Sequence, residues 1–205
     1  MAATHPFEQW EDAIARYSVF VDGKYIFSLS EAALLEQQLF SGMELSKKQV
    51  SDYKKLSADD KLYNNALRYS AMRARSHWEL EIYLRRKKAE EPIARHIIEK
   101  LEGLSLLNDT EFARSWLANR RLLKPMSMRQ LTQELRQKRV PSAVIELVLS
   151  EDETDERSVL QTLIGKKKQQ YPDQTKLMQY LARHGFSYDD IKYALQAEAE
   201  AEAEV

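Results

Sequence analysis

Three stretches of this chain repeat one pattern, and that repetition constrains the fold more tightly than anything else in the sequence. A capping residue is followed by leucines four and eight positions on, then by an apolar residue five beyond the second leucine. The stretches are Ser76, Leu80, Leu84, Ala89; Ser127, Leu131, Leu135, Val140; and Asp173, Leu177, Leu181, Phe186. Counted from the last of these, apolar side chains return at offsets five, eight and nine: Ala94, Ile97, Ile98, then Ile145, Val148, Leu149, then Ile191, Ala194, Leu195. Residues four apart share a helical face, so the leucine pair marks one helix and the later triplet the next.

A further amphipathic stretch precedes each pair: Ala66, Leu67, Ser70 and Ala71; Phe112, Ala113, Trp116 and Leu117; Val159, Leu160, Leu163 and Ile164. The unit is therefore three helices, occurring three times, which is a modular array. Ser76-x-x-Glu79 and Ser127-x-x-Gln130 have capping-box spacing, and Asn108-x-x-Glu111 places similar chemistry at a helix start. Pro92 and Pro141 suit first-turn positions. The expected divisions are an N-terminal extension over 1–59, repeats over 60–106, 107–152 and 153–197, and an acidic tail over 198–205.

The extension reads differently. Tyr17–Val21 and Lys24–Leu29 are rich in β-branched and aromatic residues, and Asp22-Gly23 between them suits a two-residue type I′ turn. A helix capped by Ser30 is expected to run to about Phe40 and stop at Gly42, and Ser46 to Gln49 has capping-box spacing for another. A lone hairpin is marginal, so this one must pack on those helices or on the next domain. The expected fold class is mainly α: a tandem array of three three-helix repeats with a small N-terminal β-hairpin plus helices.

Composition narrows the setting. No run approaches the roughly 18 apolar residues that span a bilayer, and Met1 to Trp10 has no apolar signal-like stretch. The absence of cysteine rules out disulfide and thiolate chemistry and fits a reducing compartment, so a cytoplasmic protein without a membrane partner is expected. The tail alternates Ala and Glu; Glu198 with Glu202 and Glu200 with Glu204 repel at i,i+4, so it is expected to fray, as a solvating tail or as a mask for the basic middle.

Catalytic constellations are missing. None of His5, His77, His96 and His184 has another ligand at metal-binding spacing. Gly165-Lys166-Lys167-Lys168 lacks the rest of a P-loop and lies in a helical stretch, and there is no GxSxG elbow. Asp59-Asp60 and Asp189-Asp190 are adjacent pairs, whose side chains diverge on a helix; they read as helix N-terminal charge. No catalytic residue, metal or cofactor is expected, and binding is the expected mode of action.

The cations say more. The net charge of −1 conceals a middle section, residues 61–150, with 18 basic and 10 acidic side chains. Such a section suits a polyanion or a carboxylate-rich protein. Some of its cations, Lys87, Lys88 and Lys138 among them, read as ordinary helix C-terminal charge. The candidate third helices carry few cations: residues 141–149 have none and 187–191 begin acidic, so sequence-specific major-groove reading is not expected. Trp78, Tyr83 and Trp116 could stack bases, but Trp116 follows Phe112 by four on the apolar face, which favours core packing.

These residues resemble the RecX family. Arg75-Ser76-x-x-Glu79-Leu80-x-x-x-Leu84 is similar to its RxSxxEL element, Leu107-Asn108-Asp109-x-x-Phe112-Ala113 with Asn119-Arg120 to its LxDxxFA…R segment, and Leu131-x-x-Glu134-Leu135-x-x-Lys138-x-Val140 to the next helix. Leu181-Ala182-Arg183-His184-Gly185-Phe186-Ser187 is similar to its closing LxRxGF element, and the hairpin with Gly42-Met43-Glu44-Leu45 to the extension of longer members. Arg139 stands where the family often has glycine, as does Lys124-Pro125 in a loop. The resemblance implies an elongated, curved array without a catalytic site. It also implies a monomer that lodges in the groove of the RecA–DNA filament and suppresses its ATPase and strand exchange. Arg73, Arg75, Arg85, Arg86, Arg120, Arg121, Arg129 and Arg136 are the expected contacts, since the guanidinium fork suits carboxylate or phosphate. The rival readings are a nucleic-acid-binding helical module that contacts DNA nonspecifically without a RecA target, and a scaffold for another partner.

Overall fold

The computed structural model describes residues 15–203, with side chains through residue 200. The expectations for the first ten residues and for His5, and those for Glu204 and Val205, lie outside the described residues. Two strands and ten helices are described. They fall into two compact units, residues 1–73 with 80–106 and residues 74–79 with 107–205.

In the first unit, β1 (Arg16–Val21) and β2 (Lys24–Ser30) form the expected antiparallel hairpin. Asp22 and Gly23 have φ of +52° and +73°, the two left-handed residues a type I′ turn requires. One face carries Phe27 and Leu29, which with Ala33 make a small core against Tyr53 and Leu56. The hairpin is held by Asp60, whose carboxylate accepts from Arg16 Nη1 (2.7 Å), Ser30 N (2.9 Å), Ser30 Oγ (2.6 Å) and Asn64 Nδ2 (3.1 Å). Asp60 is therefore a buried docking point, not the helix N-terminal charge expected from its pairing with Asp59.

The helices that follow differ in extent from the expectation. α1 (Glu31–Glu36) stops short of Phe40 because Gln38 takes φ of +52° and Leu39 N–H returns to the Leu34 carbonyl. α2 (Lys47–Ala71) starts with the expected capping box, Ser46 with Gln49, and runs without a break, having neither glycine nor proline in its 25 residues. The anticipated boundary at residues 59/60 thus falls inside one helix, which serves both the hairpin and the first repeat.

α3 (His77–Arg86) and α4 (Glu91–Gly103) complete the first repeat; Leu80, Leu84, Ile97 and Leu101 are its buried side chains, and Pro92 lies in the first turn of α4. α5 (Asp109–Leu123), α6 (Met128–Gln137) and α7 (Ser142–Ser150) form the second, around Phe112, Ala113, Leu117, Leu131, Leu135, Ile145 and Val148. Pro141 is the N-cap residue of α7, one position before the first turn. α8 (Glu156–Lys167), α9 (Gln174–Arg183) and α10 (Tyr188–Ala203) form the third, around Leu160, Ile164, Leu177, Leu181, Phe186 and Ile191. Asp189 and Asp190 lie in the first turn of α10, as read from the sequence. The alternating Ala/Glu stretch, expected to fray, continues α10 through Ala203: alanine and glutamate are strong helix formers, and Glu198 pairs with Lys168 at 2.9 Å.

Between the second and third helices of every repeat the chain turns the same way. Lys88, Arg139 and Gly185 have φ of +58°, +55° and +91°, and the next N–H (Ala89, Val140, Phe186) returns to the carbonyl of Leu84, Leu135 or Leu181. This is a Schellman turn, for which glycine is the preferred residue. Arg139 therefore keeps the geometry despite its side chain. Lys88→Gly and Arg139→Gly are each expected to stabilise the protein by about 0.5–1 kcal/mol, read as a higher denaturation midpoint at unchanged slope.

In the second unit, helix starts are stitched to the repeat that follows. His77 N donates to Asp109 Oδ1 (3.0 Å), and Met128 N donates to Glu156 Oε1 (2.9 Å). Each acid sits in the first turn of the next repeat's leading helix. The Ser127 hydroxyl caps Gln130 N (3.1 Å) and donates to the His184 carbonyl (2.6 Å), joining repeats two and three again.

Candidate partner-binding surface

The eight arginines named from the sequence separate into two sets. Arg75, Arg120 and Arg121 turn inward. Arg75 lies beside Glu79, Nη1 to Oε2 4.0 Å, with a side chain 13% exposed. Arg120 donates to Glu134 (2.7 Å) and lies over the Trp116 ring, 4.5 Å from its centroid. Arg121 donates to Asp152 (2.6 Å) and to the Met126 carbonyl (2.7 Å). These guanidinium forks are engaged in the fold, which corrects the expectation that Arg120 and Arg121 extend toward a partner.

Around Trp116 this becomes a network. Its indole N–H donates to Glu134 (2.8 Å), its ring packs on Phe112, and Lys138 Nζ lies 4.9 Å from its centroid. Lys138 continues to Glu79 (2.8 Å), a carboxylate 8% exposed at the start of α3. The sequence reading assigned Lys138 to helix-end charge; a partner 59 residues away leaves no local signal. Trp116 is a core and network residue, and Tyr83 stacks on Tyr69 with centroids 4.3 Å apart, so neither ring is presented as an open stacking platform.

Nearby, Asp152 combines burial, which raises its carboxyl, with hydrogen bonds from Thr154 and Arg121, which outweigh it and hold the group below the usual carboxylate range. At the surface, hydrogen bonds from Glu151 and Glu111 push Arg114 up, while Arg114 lowers Glu151. An open groove of about 360 Å³ lies between these pairs, lined by Leu117, Ala118, Val148 and their charged neighbours. Its charges are already matched within the fold.

The outward set is Arg73, Arg85, Arg86, Arg129 and Arg136, all exposed. Arg73 lies between α2 and α3, while Arg85 and Arg86 close α3, where cations also suit the helix dipole. Arg129, Gln133 and Arg136 follow at i, i+4 and i+7 on the solvent face of α6, opposite buried Leu131 and Leu135. Guanidinium groups so placed can reach carboxylate or phosphate bidentately. Among the described residues no group of three His, Asp or Glu is placed to hold a metal, and no helix is long and apolar enough to cross a membrane.

Comparison with known proteins matches this architecture repeat by repeat. Residues 63–101 match the first three-helix domain of RecX, 108–149 the second, and 155–195 the third. The chain is 31% identical over 188 residues to the regulatory protein RecX of Bacillus pumilus, covering 88% of this chain and 72% of that one. It is 32% identical over 141 residues to that of Lactobacillus gasseri, where the match spans 69% of this chain but only 52% of the relative. A crystal structure of regulatory protein RecX superposes with a TM-score of 0.73 at 24% identity, over 88% of this chain and 93% of that one. RecX from Lactobacillus salivarius superposes at 0.60 with 30% identity, over 68% and 96%.

Proposed function

The chain belongs to the RecX family, and from that premise we propose that it is a non-enzymatic regulator of the RecA recombinase. It binds the RecA–DNA filament and inhibits its ATPase and recombination activity, acting in the cytoplasm as a monomer with at most weak nonspecific contact to DNA. The observation that supports this reading is the joint one: three family domains in order, each built around its own small core, with exposed arginines on helices of the first two. Binding inhibits only if it favours a less active filament state, because a ligand shifts an equilibrium by its differential affinity alone.

The test is RecA's ATPase on single-stranded DNA, titrated with this protein at fixed salt. Inhibition well below one chain per RecA subunit is expected. Arg129→Glu/Arg136→Glu is expected to weaken it by about tenfold or more without unfolding the chain, since neither position is buried. Reversing Arg120 and Arg121 instead would disrupt the network beneath and confuse loss of contact with loss of structure. An untouched ATPase together with no capture by the preformed filament overturns the reading. Salt-steep DNA binding in their place would point to the nucleic-acid module.

A further inference from the structure

The last turn of α5 is built inside out. Arg120 follows Trp116 by four residues and Arg121 follows Leu117 by four, so both arginines continue the inner face of the helix. There they close on Glu134 and Asp152, with side chains only 29% and 13% exposed. The leucines after them extend the outer face. Leu122 comes four residues after exposed Ala118, Leu123 four after exposed Asn119, and the leucines are 85% and 72% exposed.

Folding does not account for this order. Buried ion pairs gain little over apolar packing, and leucines left in water gain nothing. Single exposed leucines are ordinary, but these two are adjacent and end a strip without charge. Ser115, Ala118, Asn119 and Leu122 stand at i, i+3, i+4 and i+7, the spacing with which a helix lies in a partner's groove. The strip cannot neutralise phosphate, and leucine has no ring to stack on a base. A cation, exposed Lys124, follows immediately at the C-cap.

We propose that this strip, ending in Leu122 and Leu123, is the part of the surface that docks on RecA protein within the filament, not on its DNA. The groove that receives it is apolar along its length and carries a carboxylate where Lys124 arrives. The assignment rests on the filament reading and divides its contacts: arginines such as Arg129 and Arg136 provide the charged part, and the strip the apolar one.

The full chain and its Leu122→Ser/Leu123→Ser variant would be titrated by fluorescence anisotropy against RecA filaments preformed on single-stranded DNA, and against the DNA alone at the same salt. Sedimentation and thermal unfolding would accompany both. The expected result is filament affinity weaker by about tenfold or more, with DNA affinity within about twofold and unchanged unfolding. Equal filament binding by variant and parent overturns the docking assignment and leaves the regulator reading standing. A parent chain that does not bind the filament overturns both. A parallel loss of DNA affinity overturns the assignment in favour of a nucleic-acid contact. A parent dimer that the variant converts to monomer overturns it in favour of a second copy.

Discussion

Gly185→Ala is expected to destabilise the protein by about 2–4 kcal/mol, the largest effect of any single methyl group in the chain. Two costs coincide at this position. Its φ of +91° lies where an L side chain is strained. A Cβ built there lands on the Ser127 hydroxyl and within 3.2 Å of Arg129 Cβ, at the joint where that hydroxyl bonds to the His184 carbonyl. The methyl group must therefore separate two repeats or distort the turn. Gly165→Ala is the control: Gly165 lies in α8 with nothing within 4 Å of the added carbon, so helix propensity should stabilise it by up to about 1 kcal/mol. Opposite signs in paired denaturation curves would confirm the joint. Similar small effects would show that the turn yields.

Asp60→Ala is expected to cost about 3–5 kcal/mol, concentrated in the N-terminal hairpin. The carboxylate accepts four hydrogen bonds, including the Arg16 guanidinium and the Ser30 backbone N–H, and is 8% exposed. Removing it leaves a cation and a buried N–H without their partner. The hairpin keeps its Ser57 to Ser28 bond and a core of only three buried side chains, too little for a two-stranded sheet to persist alone. Amide exchange should accelerate at Phe27, Leu29 and Ser30 while the amides of Leu135 and Leu181 keep their protection. Uniform acceleration across both sets would mean that the hairpin and the repeats unfold as one.

How much of this was legible in the sequence depended on distance along the chain. The leucine pairs, the caps at Ser127 and Asp173, and the Asp22-Gly23 turn are set by neighbours within a few residues, and the structure has them where the pattern puts them. The 3.6-residue period also exposed the repeat itself. Asp60 was misread because its partners lie 30 and 44 residues away, and an adjacent aspartate suggested a simpler role. Arg120 and Arg121 were taken as surface cations because arginine usually is one; the acids that draw them in, Glu134 and Asp152, are 14 and 31 residues on. A period count would have raised the alarm, since both arginines fall in register with Trp116 and Leu117. α2 ran past its expected limit because a change of composition at residue 60 is no obstacle to a helix that contains no breaker.

The helix-start residues carry information about length. Ser76 and Ser127 begin the second helices of the first two repeats; a hydroxyl can accept a bond from its own helix and still give one away, as Ser127 does to His184. The third repeat puts Asp173 in that position. Its carboxylate takes the Thr175 and Lys176 N–H groups, and an ionised acid has no proton left to offer a further neighbour. One oxygen acid in place of one alcohol thus works as a terminator, closing to further copies a stacking rule that could otherwise be applied again. The array counts to three because its final joint has nothing to donate.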